Sequence, residues 1–356
     1  MTHTLPLPDF THERVEVTTG RRSGLFIAVA LHSSVLGSAL GGARLWSYPH
    51  WSDALGDALR LSAAMTLKNA AAGLDAGGGK SVIGLKPGET LDADRRRAAF
   101  LDLGDAVELM GGLYRTAEDV GSTTEDMLTV SEQTAHVVGL PSTVGGSGEP
   151  AGPTSLGVYA SLGAVLERVA GSADPAGRRI TISGLGQVGG RLAQRLADEG
   201  AQLTVTDINP ARREFAASIG ATWAEPGTEH LLSADVFVPA GIGGTLTDEV
   251  IDSLDVAAVC GPANNPLAER AGAERLAGRG IVYAPDFVVN AGGVIYLDLE
   301  AKQIGTSEEI MARVAGIGDT VGRILDDAAE RGITPLAAAE ELAASRLAAG
   351  ASVSAR

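Results

Sequence analysis

A chain of 356 residues with 44 acidic and 28 basic side chains, net charge −16 at pH 7, lacks the basic face that phosphate binding needs, which excludes nucleic acid as a partner. The length suits about two domains, and a hydrophobic content of 45% is ample for a core in each. One cysteine, Cys260, allows no internal disulfide and fits a reducing cytoplasm.

Residues 1–17 hold acids and proline but no apolar core, so no secretory signal is expected there. Residues 13–17 alternate, and residues 18–24 read as a turn. The uncharged run 25–43 is interrupted by His32, serines and glycines, and suits two strands better than a membrane span. The strands are placed at 25–31 and within 35–46. Ser52 is a candidate N-cap with Asp53 in the first turn, for a helix running to about residue 72. Glycines over 73–79 break that helix, and a strand is predicted from 82 to 85. A helix over 92–113, a short strand over 114–117 and a helix over 123–133 follow. Residues 141–152, dense in Gly, Pro and Ser, mark a domain boundary. Pro153 opens a helix to 169, a position proline favours. A strand at 179–183, a glycine turn at 184–189, a helix at 191–199 and a strand at 202–206 come next. Further strands at 236–238, 256–260 and 281–283 alternate with helices, the pattern of a parallel sheet covered on both faces. Two late helices, 308–331 and 335–349, finish the chain. The fold class is therefore α/β in two domains.

The chain holds only four lysines, at 68, 80, 86 and 302, against 24 arginines. Lys68 and Lys80 lie twelve residues apart and flank Gly77-Gly78-Gly79. Arginine is permanently charged, whereas lysine sheds its proton when desolvated or set beside another cation. Lysine where arginine is the habit points to a compact or titratable amine; the alternative is a pair of ordinary surface lysines. The glycines strip side chains from the backbone beside Lys80 and would let a ligand approach.

Gly184-Leu185-Gly186-Gln187-Val188-Gly189 follows a predicted strand and opens a helix. Gly184 permits the tight turn, Gly186 lets a pyrophosphate approach, Gly189 allows close packing, and the helix N-terminus faces the phosphates. Asp207 ends the next strand, where an acid accepts hydrogen bonds from a ribose diol and repels a 2′-phosphate. NAD is the expected cofactor, with NADP kept open by Arg212 and Arg213. The six histidines show no metal spacing, so no metal is expected.

Several motifs together resemble the glutamate, leucine, valine and phenylalanine dehydrogenase family. They are Leu40-Gly41-Gly42-Ala43-Arg44, Met65-Thr66-Leu67-Lys68-Asn69-Ala70, Gly77-Gly78-Gly79-Lys80 and Thr116-Ala117-Glu118-Asp119-Val120-Gly121, then the dinucleotide turn, Cys260-Gly261-Pro262-Ala263-Asn264-Asn265 and Tyr283-Ala284-Pro285-Asp286-Phe287-Val288-Val289-Asn290-Ala291-Gly292-Gly293-Val294. They span nearly the whole chain in the family's order. The resemblance implies an N-terminal substrate domain over 1–140, a Rossmann domain over 150–330 with a cleft between, and a C-terminal helix, 335–356, returning to the first domain. It implies reversible NAD-dependent oxidative deamination of an L-amino acid to a 2-oxo acid and ammonia by a cytoplasmic homo-oligomer. It is closest to the family's bacterial phenylalanine-specific members, so L-phenylalanine, giving phenylpyruvate, is the expected substrate, with leucine or valine as alternatives.

Carried over by position, the resemblance makes Lys80 the general acid/base and Asp119 the group exchanging protons with the substrate nitrogen. Asp119 reads otherwise as a solvated loop acid or an N-cap for the helix after Ser122. Lys68, with Gly42 beside it, binds the α-carboxylate, and Lys68 is expected to supply the field that lowers the pKa of Lys80. Asn264 orients substrate or nicotinamide; Asn290 and Ala240 belong to the cofactor side, or Asn290 supports its turn. Leu40, Met65, Ala117, Val294 and Leu297 form the side-chain pocket. All five are apolar, which disfavours an acidic substrate. Cys260 reads as inert core. Two other classes stay in view: a non-catalytic NAD sensor, for which a proton shuttle has no use, and a 2-hydroxy-acid dehydrogenase, which wants a histidine base that no motif supplies.

Overall fold

The computed structural model describes residues 10–144 and 146–354. The N-terminal stretch 1–9, read above for a secretory signal, lies outside the described residues, as do residues 355 and 356 of the last helix. The chain divides into two compact units. Unit 1 comprises residues 1–149, 297–304 and 343–356; unit 2 comprises residues 150–296 and 305–342.

Unit 1 contains β1 (Arg14–Thr19), β2 (Phe26–Ser33), β3 (Ala39–Ser47), α1 (Trp51–Ala71), β4 (Gly78–Leu85), α2 (Ala93–Glu108), β5 (Tyr114–Glu118) and α3 (Thr124–Val130). Its sheet runs β1-β2-β4-β3-β5. The first two pairings are antiparallel and the last two parallel. Side chains alternate between faces along each strand. One face sends Ala43, Leu45, Ile83 and Tyr114 against Phe100, Leu103 and Val107 of α2 and Met127 of α3. The other sends Ala28, Ala30 and Val82 against Ala54, Ala58 and Leu59 of α1. Each large side chain so buried contributes about 1.5–3 kcal/mol.

Strand β4 starts at Gly78, four residues before the predicted strand. Glycine has poor strand propensity, but here β2 and β3 flank the segment on both sides and their ladders decide the conformation. The three glycines make room for the protein itself, not for a ligand. A Cβ on Gly77 would lie 1.9 Å from the Ser33 carbonyl oxygen, one on Gly78 2.1 Å from the Thr66 backbone nitrogen, and one on Gly79 2.4 Å from the Tyr114 ring. Helix α1 starts at Trp51 behind an N-cap at His50, not Ser52. Asp53 is the third residue of the helix, and its carboxylate accepts the His50 N–H at 3.0 Å. Helix α2 stops at Glu108, short of the predicted 113, because Gly111 and Gly112 take positive φ angles of 62° and 81°.

Unit 2 opens with α4 (Ala151–Ala170), whose N-cap is Pro150, so Pro153 falls inside its first turn. It continues through β6 (Arg179–Ser183), α5 (Gln187–Asp198), β7 (Gln202–Thr206), α6 (Arg212–Ser218), β8 (Thr222–Trp223), β9 (Val236–Pro239), α7 (Asp248–Ser253), β10 (Ala258–Val259), α8 (Gly272–Gly278), β11 (Val282–Tyr283) and α9 (Asp286–Val289). Helices α10 (Gly292–Ala301), α11 (Ser307–Ala315), α12 (Ile317–Arg331) and α13 (Pro335–Ser354) complete the chain. The predicted helix 308–331 is thus two helices meeting at Gly316. All six strands are parallel, in the order β11-β10-β9-β6-β7-β8. The chain winds outward from β6 to β8, then returns to β9 on the other side of β6. That reversal leaves a crevice outside the carboxyl ends of β6 and β9. Helices α10 and α13 each contribute residues to both units. Within unit 1, Asp298 of α10 is almost fully buried and is bonded by Arg115 of β5 and, at 2.8 Å, by Lys302. Arg346 of α13 bonds Asp75 at 2.8 Å. Among the described residues, no helix is long and apolar enough to cross a membrane.

Candidate active site

Strand alternation assembles a polar cluster on the α1 face of the unit 1 sheet. Lys80 on β4 and Ser81 after it point to opposite faces, and Ala43 pairs with Ser81, which brings Gly42 of β3 beside Lys80. Gly42 in turn pairs with Ala117 of β5, and Asp119 follows two residues on. The Lys80 Nζ lies 2.8 Å from Asp119 Oδ2, with the Lys80 side chain 5% and the Asp119 side chain 19% exposed. A Cβ on Gly42 would sit 2.6 Å from the Asp119 Cβ, so glycine at 42 is what admits this carboxylate. The Asp119 backbone is held as well. Its N–H donates to Ser122 Oγ at 2.9 Å, and that hydroxyl donates to the Ala43 carbonyl at 2.7 Å. Asp119 lies in the loop just after β5 but is neither a solvated acid nor an N-cap: its side chain is paired with the buried lysine, and Thr123 caps α3.

Arg44, quoted above only as part of a motif, joins the same oxygen. Its Nε donates to Asp119 Oδ2 at 3.1 Å, and one terminal nitrogen donates to Asp57 Oδ2 at 2.9 Å. The Tyr48 hydroxyl at 2.7 Å and Arg60 at 2.6 Å complete the bonds to Asp57. Burial pulls the Lys80 amine below the usual lysine range. The Asp119 charge opposes that fall, and the Arg44 guanidinium adds to it. Arg44 is thus a cation acting on Lys80 that the sequence reading, which named Lys68 for this part, did not single out. Burial works to raise Asp119, but the Lys80 and Arg44 charges overcome it and hold the carboxylate below its usual range. Glu118, on the opposite face of β5, is pushed up to about 7 by burial and by the charges of Glu149, Glu125 and Asp119.

Lys68 sits half-buried in the last turn of α1, on the helix that covers the Lys80 face. The next residue, Asn69, is fully buried and donates to the carbonyls of Leu40 (3.2 Å) and Gly77 (2.6 Å), tying this turn to β3 and to the start of β4. Of the five pocket residues, Leu40, Met65, Ala117 and Leu297 belong to unit 1. Leu40 and Ala117 share the Lys80 face of the sheet. Val294, on the first half of α10, belongs to unit 2.

In unit 2, Gly184 takes φ +113°, and a Cβ on it would lie 2.7 Å from the Ala240 carbonyl carbon. A Cβ on Gly189 would lie 2.2 Å from the Gly184 carbonyl oxygen, so α5 and β6 pack at glycine distance. Nothing lies within 4 Å of where a Cβ on Gly186 would be, and Gly186 is the N-cap of α5. The helix starts at Gln187, not at 191. Gln187 is exposed and Val188 partly so, whereas the Leu185 side chain is buried. Asp207 accepts the Leu185 N–H at 2.7 Å and the Asn209 N–H at 2.8 Å, so it orders the turn besides facing the end of the sheet. Asn290 donates to Asn264 Oδ1 at 2.8 Å and to the Pro262 carbonyl at 3.1 Å, bringing together two residues expected on the cofactor side. The buried Asn290 Oδ1 finds no donor among the described residues. An open cradle over Gly186, a helix N-terminus and a strand-end carboxylate together fit NAD. Arg213 is committed elsewhere: it bonds Glu225 at 2.6 and 2.8 Å and lies over the Trp223 ring. Burial raises the Cys260 thiol to about 12, which makes it an inert core residue.

Residues 11–136 match the family described as Glu/Leu/Phe/Val dehydrogenase, dimerisation domain, and residues 204–353 match glutamate/leucine/phenylalanine/valine dehydrogenase. A leucine dehydrogenase of Thermoactinomyces intermedius is 38% identical over 340 residues, covering 95% of this chain and 91% of its own. A phenylalanine dehydrogenase of Bacillus thermotolerans is 37% identical over 342 residues, covering 94% and 88%. The crystal structure of L-tryptophan dehydrogenase from Nostoc punctiforme is similar with a TM-score of 0.80 and 34% identity, covering 96% of each chain. Leucine- and phenylalanine-specific relatives stand at nearly the same identity, so these likenesses do not separate the two substrates.

Proposed function

Because this chain belongs to the glutamate/leucine/phenylalanine/valine dehydrogenase family, we propose that it catalyses reversible NAD-dependent oxidative deamination of an apolar L-amino acid. The observation that carries the reading is the buried Lys80–Asp119 pair at 2.8 Å, on the sheet face that α1 covers. Lys68 binds the α-carboxylate through a charge-assisted hydrogen bond. Asp119, kept ionised by Lys80 and Arg44, accepts a proton from the substrate ammonium and returns one to the departing ammonia. NAD, when bound, accepts the hydride from the substrate Cα. Lys80, whose amine burial keeps easily deprotonated, takes a proton from the water that attacks the resulting iminium carbon. Because Lys80 and Asp119 are in direct contact, they act as one proton-handling unit, not as two separate groups.

The substrate reading extends to L-phenylalanine, with leucine second, favoured by the 38% identical leucine dehydrogenase. Leu40, Ala117 and Leu297 of unit 1 are all buried and apolar. Arg115, opposite Leu40 in the strand register, is neutralised by Asp298. An acidic side chain there would leave a carboxylate unpaired, at a cost of several kcal/mol. The match of residues 11–136 to a dimerisation domain supports a homo-oligomer. The lone buried cysteine supports a cytoplasmic location. The test is NADH formation with L-Phe, L-Leu, L-Val and L-Glu at alkaline pH, beside a Lys80→Ala variant. Turnover with apolar substrates is expected, as is its near-complete loss in the variant with NAD binding kept. No turnover by the native protein, or near-normal turnover by the variant, sinks the reading.

A further inference from the structure

We propose that Arg44 is a positioning residue for proton transfer, fixing the Asp119 carboxylate so that one oxygen holds Lys80 while the other is left to the substrate nitrogen. The inference rests on the roles proposed for Lys80 and Asp119. Both cations converge on one oxygen, Oδ2, with Lys80 Nζ at 2.8 Å and Arg44 Nε at 3.1 Å. Among the described residues no group bonds Oδ1. A carboxylate bound to Lys80 alone could swing about its Cβ–Cγ bond and offer either oxygen. A second donor from a different direction removes that freedom.

Arg44 can act as a fixed strut because its own far end is fixed. Asp57 Oδ2 accepts from Arg44 at 2.9 Å and from the Tyr48 hydroxyl at 2.7 Å, and Arg60 holds Asp57 Oδ1 at 2.6 Å. The planar guanidinium spans two carboxylates in one orientation, a geometry that a lysine ammonium does not reproduce. Strand alternation sets the reach. Arg44 is two residues past Gly42 on the same face of β3, and Gly42 is the position that admits Asp119. Arg44 also places a fixed positive charge near Lys80 and opposes protonation of that amine, so its loss has a sign. Without it, Lys80 keeps its proton to higher pH.

The experiment compares native protein with Arg44→Met, Arg44→Lys and Tyr48→Phe. Two readouts are taken against pH: the rate of reductive methylation of the Lys80 amine, resolved by peptide mass spectrometry, and the separate kcat and KM for the amino acid. For Arg44→Met, the Lys80 midpoint and the rising limb of kcat should both move up by about one pH unit. KM should stay within roughly threefold. Arg44→Lys should restore part of the shift, and Tyr48→Phe should give a smaller shift in the same direction. Unmoved midpoints, or a loss confined to KM, overturn the proposal. If Arg44→Met does not fold, the lysine and phenylalanine variants supply both readouts, and unmoved midpoints in them overturn the proposal equally. Absence of turnover in the native protein would fell the functional reading, while the methylation midpoints still decide the role of Arg44.

Discussion

Replacing Gly78 by alanine tests whether the spacing of the two layers sets the distance between the two site lysines. Gly78 precedes Lys80 by two residues on β4, and the atom it faces, the Thr66 nitrogen, precedes Lys68 by two residues on α1. The added Cβ would stand 2.1 Å from that nitrogen, 2.2 Å from Thr66 Oγ1 and 2.5 Å from Thr66 Cα. Ordinary contact begins near 3.4 Å, so α1 and β4 must part by about 1.3 Å. The opposing atoms are mostly backbone, so no rotamer change relieves the clash. Overpacking of this kind costs about 1–3 kcal/mol. A misplacement of about 1 Å between the groups holding and attacking a substrate costs on the order of 100-fold in rate. Gly78→Ala should therefore lower kcat/KM for the amino acid about 100-fold in a steady-state NADH assay and lower the melting temperature. Gly56→Ala on the same helix, where nothing lies within 4 Å of the new Cβ, serves as control and should keep full turnover. Turnover of Gly78→Ala within twofold of native, with an unchanged melting temperature, would refute the reasoning.

Asp298→Leu strands Arg115 and Lys302 beside an apolar side chain, and urea denaturation should show a loss of about 3–5 kcal/mol; a loss below about 1 kcal/mol would contradict the burial argument. Glu118, raised to about 7, binds its proton more tightly in the folded protein than in the unfolded chain, so its stabilising contribution is complete below its ordinary 4.5 and is lost as pH rises through 7. Glu118→Gln should accordingly raise the melting temperature at pH 8 relative to pH 5, and an unaltered difference between the two pH values rejects this assignment. Native protein should use NAD far better than NADP, and Asp207→Ser should shift the kcat/KM ratio towards NADP by at least about tenfold, since it removes the carboxylate that repels a 2′-phosphate. Comparable native efficiency with both cofactors would remove Asp207 from that role.

Local features were legible in the sequence because their physics is local. The turn at Gly184–Gly189 needs only a strand before it and a helix after it. The scarcity of lysine, with three consecutive glycines between two of the four, draws the eye to Lys68 and Lys80. What stayed hidden depends on layers meeting. Gly78 and Gly79 look like a loop until β2, β3, Thr66 and Tyr114 enclose them. Arg44 finds Asp57 across a strand-to-helix step and Asp119 across 75 residues. Asp298 meets Arg115 over 183 residues, a pairing that no periodicity announces. Helix α10 escaped prediction because its opening, Gly292 through Leu297, is apolar all round and has no amphipathic stripe to read.

Unit 1 is built from three separated pieces of chain, the last two drawn from beyond residue 296. That arrangement sets an order of events during synthesis. At about 5–20 residues per second, Asp298 leaves the ribosome some 10–40 s after Arg115. Through that interval the guanidinium of β5 waits without its buried carboxylate, and the β-sheet that carries Lys80 lacks the segments 297–304 and 343–356. Unit 2 can bury most of its parallel sheet in the meantime, since its strands all lie between residues 179 and 283. The part of the protein that is begun first is thus finished last.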